Sequence, residues 1–346
     1  FYDVIVCNGT SFTQATFPTA AGPRSLAIAD VNGDGKLDIV VANEDSNSTG
    51  VLLNRGDGTF FNQTTFAVRG SPFAVATADF NGDSKSDIAV SNYASDYVSV
   101  LLNRRNGTFL NQTIYSVGNG PRSVAAADLN GDNQPDIVVV NQLSNKLGVL
   151  VNVGNGIFAN HTTYSVGNDP YSVAIDYVNG DSHADLVVAN FASDSISVLL
   201  NCGNGSFTNH TVYPAGDGAY SVALADINGD SKLDILVANF HADTVGVLLQ
   251  GANGTFGNQT AYPTGDGPCS LIVLDVNCDR KPDLVVGVYF ANEIHVLLNV
   301  GNGTLFNRTE YAVGTRPRAV ASADVNSDNQ PDLLVVNADS NTVSVL

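Results

Sequence analysis

ADVNGDGKLD, residues 29–38, returns as ADFNGDSKSD at 78–87 and as ADLNGDNQPD at 127–136. Four further copies follow in register, so the leading aligned position reads Asp30, Asp79, Asp128, Tyr177, Asp226, Asp275 and Asp324. Successive copies stand 49 residues apart without insertion or deletion, and seven periods account for all but three of the 346 residues. Self-similarity at a fixed period marks a repeat architecture, so residues 1–346 read as one domain of seven units.

Working outward from the third copy, residues 123–128 (SVAAAD) form a short apolar run before the loop LNGDNQP. Residues 136–141 (DIVVVN) and 147–152 (LGVLVN) are β-branched runs separated by polar QLSNK, and VGNG turns the chain into 158–167, FANHTTYSVG. Four short β-rich runs bounded by Gly, Asn and Asp predict an antiparallel sheet, with strands A to D from the centre outwards. One such sheet cannot bury both faces, but seven stacked around an axis can. The expectation is all-β: a seven-bladed β-propeller with four antiparallel strands per blade. Helical solenoids are excluded by the β-branched runs, and a parallel β-helix would have shorter rungs and fewer hairpins.

In the seventh unit residue 346 falls within strand C, whereas residues 8–10 align with a C–D turn and 12–19 with strand D. The N-terminal segment is therefore expected to complete blade 7. Residues 2–6 also align roughly with strand C, leaving a surplus strand that could pair with a neighbouring copy; such head-to-tail contacts would propagate as a filament.

Each A–B loop reads D-x-N-G-D-x-x-x-D. Loop 1 offers the side chains of Asp30, Asn32, Asp34 and Asp38 and the carbonyl of Lys36. Loops 2 and 3 offer Asp79, Asn81, Asp83, Asp87 and Asp128, Asn130, Asp132, Asp136. Loop 4 offers Asn179, Asp181 and Asp185, with Tyr177 where the first Asp would stand and Asp176 beside it. Loops 5 to 7 offer Asp226, Asn228, Asp230, Asp234; Asp275, Asn277, Asp279, Asp283; and Asp324, Asn326, Asp328, Asp332. Alternate oxygens converge when such a loop curls, and hard oxygen donors in this number suit Ca²⁺, whereas Mg²⁺ keeps more of its water. Up to seven Ca²⁺ ions are expected, the fourth held most weakly. In loops 6 and 7, Cys278 and Ser327 replace the Gly that eases the turn.

Charge supports this reading. Acidic residues number 34 against 15 basic, a formal charge of −19. Positions 1, 5 and 9 of the seven loops hold 20 Asp, leaving 14 acidic residues elsewhere against the 15 basic ones. Clustered carboxylates repel unless a cation intervenes. A balance this acidic argues against nucleic acid and against a polybasic membrane contact. Apolar runs of five or six residues fall far short of the roughly 20 needed to span a bilayer. The chain begins at Phe1 and contains no Met, as expected of a trimmed chain whose signal peptide, if it had one, is gone.

The loop, the D-[IL]-x-V strand after it and the NG-[TS]-F turn resemble FG-GAP (VCBS) repeats, as in the propeller of integrin α subunits. Similar repeats occur in some fungal lectins. The resemblance spans essentially the whole chain. It implies Ca²⁺ in the A–B loops on one face with a structural role, and ligand recognition elsewhere.

Twelve N-x-[ST] sequons begin at Asn8, Asn47, Asn62, Asn106, Asn111, Asn160, Asn204, Asn209, Asn253, Asn258, Asn302 and Asn307. Eleven fall in two aligned columns, the C–D turn and the start of strand D, both towards the outer rim. NGT makes a good hairpin turn without any glycan, which explains the first column but not the second. N-linked glycans are therefore expected, and with them a secreted, extracellular protein. Cys7, Cys202, Cys269 and Cys278 occupy four different columns. An oxidising compartment permits disulfides, but the spacing names no pairing.

No enzyme is expected. His161, His183, His210, His241 and His295 scatter over different columns and form no nucleophile or zinc-ligand motif. The function read from the residues is an adhesion or structural assembly module that binds a protein or glycan on the variable B–C/D–A loop face. The alternative is a carbohydrate-binding lectin. The Tyr column on strand D (Tyr115, Tyr164, Tyr213, Tyr262, Tyr311) reads as packing between blades rather than as sugar platforms. Arg55-Gly56-Asp57 reads as drift in a turn rather than as an adhesion tripeptide.

Overall fold

Seven four-stranded antiparallel sheets make up the protein, as seen in a computed structural model that describes residues 14–346 apart from residue 160. Blade 1 runs Pro23–Ala29 (A), Asp38–Asn43 (B), Ser48–Leu52 (C) and Thr64–Ala67 (D), and blades 2 to 6 repeat that order. Blade 7 takes A, B and C from Pro317–Ala323, Asp332–Asn337 and Thr342–Val345, and D from Ala15–Pro18. Ala15 faces Val345 and Pro18 faces Thr342, so the N-terminal segment closes the ring as expected. The surplus strand at residues 2–6, Cys7 and the sequon at Asn8 lie outside the described residues.

Strand position dictates burial. Strand B reads as a continuous apolar run because blades cover it on both sides, and Asp38–Asn43 is buried at every residue. Strand D is the outer edge and alternates. In Thr113–Ser116 only the third residue, Tyr115, is turned inward. Its ring meets Phe158 of the next blade edge-on at 5.2 Å, as Tyr164 meets Phe207 at 5.4 Å. Phe17 repeats the contact with Phe60 at 5.1 Å across the closure between blades 7 and 1. The Tyr column thus serves blade packing, as read from the sequence.

A polar staple joins the blades as well. Asn103, just after strand C of blade 2, donates Nδ2–H to the carbonyl of Val31 in the blade 1 A–B loop at 2.8 Å. Asn152 does the same to Phe80 at 2.9 Å, Asn201 to Leu129 at 2.8 Å and Asn299 to Ile227 at 2.7 Å. Asn54 reaches Val325 of blade 7 at 2.9 Å, stapling the closure. The accepting residues are themselves buried apolar plugs: Val31 and Phe80 are 1% exposed. The turn glycine joins in, since Gly107 N–H also donates to the Val31 carbonyl. Gly107 sits at φ +71°, where a side chain would be strained.

Candidate functional site

The acidic loops all lie on one face, at the A–B end of the blades. In loop 1 the Asp30 carboxylate accepts N–H bonds from Gly33 at 2.7 Å and Gly35 at 2.8 Å. The Asn32 carbonyl oxygen accepts from Asp34 at 2.8 Å, and Asp34 in turn accepts from Lys36 at 3.0 Å. Side-chain oxygens at positions 1, 3 and 5 thus accept the loop's own N–H groups and fix its curl. Position 4 is left-handed in every loop, including Cys278 at φ 59° and Ser327 at φ 65°. The departures from Gly therefore carry backbone strain without changing the loop's path.

Asp38 plays a different part. It is fully buried. One oxygen accepts from Val31 N–H at 3.0 Å and the other from Asn54 N–H at 2.8 Å. It ties the loop to the residue that staples the neighbouring blade. Burial pushes the Asp38 carboxyl up to about 6; the two backbone N–H bonds oppose the shift, and Asp34 and Asp30 add repulsion. Asp87, Asp136 and Asp283 are likewise raised to about 6, first by burial. Asp185, Asp234 and Asp332 are raised for the same reason. The loop offers hard oxygen donors of the type Ca²⁺ takes, but in no loop do the three carboxylates lie within 4.8 Å of one another; among the described residues only Glu293, His295 and Glu310 do.

Loop 4 departs as its sequence implies. Tyr177 is 54% exposed, and Asp176 is engaged by Tyr177 N–H at 2.8 Å instead of gathering the loop's N–H groups.

The sequon columns divide. Asn106 accepts from the Thr108 hydroxyl at 2.5 Å, closing its own turn, and Asn204 accepts likewise from Ser206. Asp57 makes the same closure with Thr59 at 2.6 Å, which gives the Arg-Gly-Asp stretch a turn role. Asn62, Asn111, Asn209 and Asn258 are exposed, and among the described residues their side chains make no hydrogen bond. Asn47, outside both columns, accepts from Ser71 N–H at 3.0 Å. Asp96 and Asp194 make the corresponding bond to Gly120 and Gly218. Residue 160 and the side chains of Asn253 and Asn307 are outside the description. Cys278 is disulfide-bonded, while Cys202 is an exposed free thiol and Cys269 a buried one.

The opposite face holds what the motif reading missed. Each strand A begins with a register shift, between Pro23 and Ser25 in blade 1 and between Pro121 and Ser123 in blade 3. Such a bulge re-aims the extra residue. The seven bulged residues, Arg24, Phe73, Arg122, Tyr171, Tyr220, Cys269 and Arg318, line an axial cavity of about 140 Å³. The first B–C loop residues surround them. Arg122 lies 3.5 Å from the Tyr171 ring centre, and Tyr171 stacks on Phe191 at 4.4 Å. Tyr220 stacks on Phe240 at 5.4 Å. Reading the column at residue 24 in steps of 49 would have revealed the ring. Each member alone sits unremarked at the start of an apolar run.

Cross-strand register also joins two residues of strand C with one of strand D in blade 6. His295, buried, has Nε2 3.0 Å from Glu293 Oε2, and Glu310 faces it from the next strand. Arg308 already donates to Glu310 at 2.6 Å.

A family model described as FG-GAP-like repeat matches residues 8–41, 30–90, 79–139, 177–237, 226–286 and 275–335. No curated protein matches the chain in sequence. Among solved structures, BBS1N in complex with ARL6DN is 14% identical, with TM-score 0.70 over 100% of this chain and 97% of that one. Virginiamycin B lyase from Staphylococcus aureus is 13% identical, with TM-score 0.67 over 96% and 98%. An Agrocybe aegerita lectin described as recognising non-reducing terminal N-acetylglucosamine is 20% identical, with TM-score 0.59 over 97% and 89%. At these identities the likeness is one of fold.

Proposed function

The chain belongs to the FG-GAP-like repeat family, and from that premise we propose that it is a non-enzymatic, calcium-stabilised extracellular glycoprotein acting as an adhesion or assembly module. The observation that carries the reading is the coupling of six acidic loops to blade docking, through Asn54, Asn103, Asn152, Asn201, Gln250 and Asn299. The buried Asp of a loop holds the backbone of the Asn that staples the adjoining blade, as Asp87 holds Asn103 at 2.7 Å. A cation seated in such loops would stabilise the interfaces of the ring, a structural role that leaves the other face for ligands. The extracellular part draws on the exposed second sequon column and on the disulfide at Cys278. Loops on a rigid scaffold are where recognition resides, and the B–C/D–A face is where Arg and aromatic side chains gather.

The test is thermal unfolding with and without excess chelator, alongside metal analysis. Calcium bound to the native state adds RT ln(1 + [L]/Kd) per site, so chelation should lower the melting temperature and calcium should restore it. An unchanged curve from a protein carrying no metal would refute the proposal. A second reading, a carbohydrate-binding propeller, is favoured by the aromatic residues of the same face, where Phe290 is 52% exposed.

A further inference from the structure

We propose that the axial cavity binds a single small carboxylate, held by Arg122 and Arg318. The inference rests on the reading of the B–C/D–A face as the ligand face and names what that face takes. Both arginines donate to one acceptor, the Tyr220 hydroxyl, Arg122 at 3.0 Å and Arg318 at 2.9 Å. Two guanidinium groups are thus drawn together over one neutral oxygen. Three other arginines have acidic partners, Arg24 with Glu44, Arg308 with Glu310 and Arg316 with Asp339; the other arginines without such a pair do not line the cavity. Among the described residues neither Arg122 nor Arg318 has one, in a chain of formal charge −19.

Like charges this close repel, and an anion between them would relieve the repulsion. The donors for it exist. Of the N–H groups on the two guanidiniums, four are used: on Gln142 and Tyr220 by Arg122, and on Tyr220 and Tyr289 by Arg318. The Arg318 Nε–H is buried and without a partner. The planar fork of a guanidinium matches a carboxylate.

The site is also stiff. Tyr171 is held between Arg122 and Phe191, and Arg318 lies 4.3 Å from the Tyr289 ring centre, so the donors are oriented in advance. Size and surroundings restrict the ligand. The cavity is about 140 Å³, and Asp169, Asp217 and Asp266 stand on the D–A loops of the same face. Acidic surroundings disfavour polyanions and leave room for one carboxylate. That group could belong to a uronic acid at a glycan end or to a free organic acid.

The experiment is calorimetric titration of the full chain in saturating calcium with methyl glucuronide, sodium acetate and methyl glucoside. Both carboxylates should bind and the neutral glucoside should not. Tighter binding of the glucuronide assigns the glycan source, and equal binding assigns the free acid. Arg122→Gln combined with Arg318→Gln should weaken both carboxylates at least about tenfold without moving the calcium-dependent melt. Arg122→Lys, which keeps the charge and loses the fork, should weaken binding even if the double variant does not fold. Absence of carboxylate binding up to roughly 10 mM, equal binding of the glucoside, or variants that bind like the parent would overturn the proposal. A calcium-dependent melt that persists in those cases leaves the calcium-stabilised module standing.

Discussion

At the scale of single residues, the polar side chains inside this ring are connectors. Asn152 donates to Phe80 of the neighbouring blade and to Pro135 of its own at 2.9 and 3.1 Å. Asn152→Ala would leave one buried and one part-buried carbonyl without those donors, so it should cost about 2 kcal/mol in urea unfolding. Asn111→Gln, on the exposed rim, should cost under about 0.5 kcal/mol. The thiols are equally unlike. Burial pushes the Cys269 thiol up to about 12, and its Sγ–H donates to the Pro317 carbonyl at 3.0 Å. Native protein treated with iodoacetamide should therefore be modified at Cys202 and spared at Cys269, as read by peptide mass spectrometry; equal labelling would contradict the buried placement. None of these connector roles is written in a motif, because the partners of Asn152 lie 72 and 17 residues away in sequence.

At the scale of the element, the A–B loop joins an acidic curl to a buried carboxylate, and that join sets a pH dependence. Burial raises the carboxyls of Asp38, Asp87, Asp136 and Asp283 to about 6 in the folded protein, against an ordinary value of 3.8. Raised folded-state values mean that the native state holds protons the unfolded chain releases. Their contribution to stability is complete below about 3.8 and is lost as pH rises through about 6. In chelator, the melting temperature should therefore fall between about pH 4 and pH 7. In excess calcium the trend should flatten or reverse, because a cation needs the carboxylates ionised. Melts across that range in both conditions check the sign. The loop's donor pattern was legible from D-x-N-G-D-x-x-x-D. What its last Asp does was not, since Asn54 lies 16 residues beyond Asp38 and reaches it only when strand C pairs with strand B.

At the scale of the whole molecule, ring closure is the decisive event. Strand D of blade 7 is Ala15–Pro18, and Gln14 Nε2 donates to Ser344 Oγ at 2.7 Å across the join. Removing residues 1–18 would strip the outer strand from Thr342–Val345 and the Phe17–Phe60 contact from the blade 7–1 interface. Loss of several kcal/mol should lower the melting temperature by roughly 10 °C. A truncated chain that melts like the parent would show that the segment closes nothing. The sequence by itself determined the blade count, the strands, the closing segment and the place of the acidic loops, because an uninterrupted period of 49 repeats each local pattern seven times. Only the tertiary structure decided what the columns do at the axis. Arg24, Phe73, Arg122, Tyr171, Tyr220, Cys269 and Arg318 share no residue type, and bulges at the start of each strand A turn them towards one point. A column of unlike residues carries no repeat signal, and their chemistry exists only where the seven blades meet.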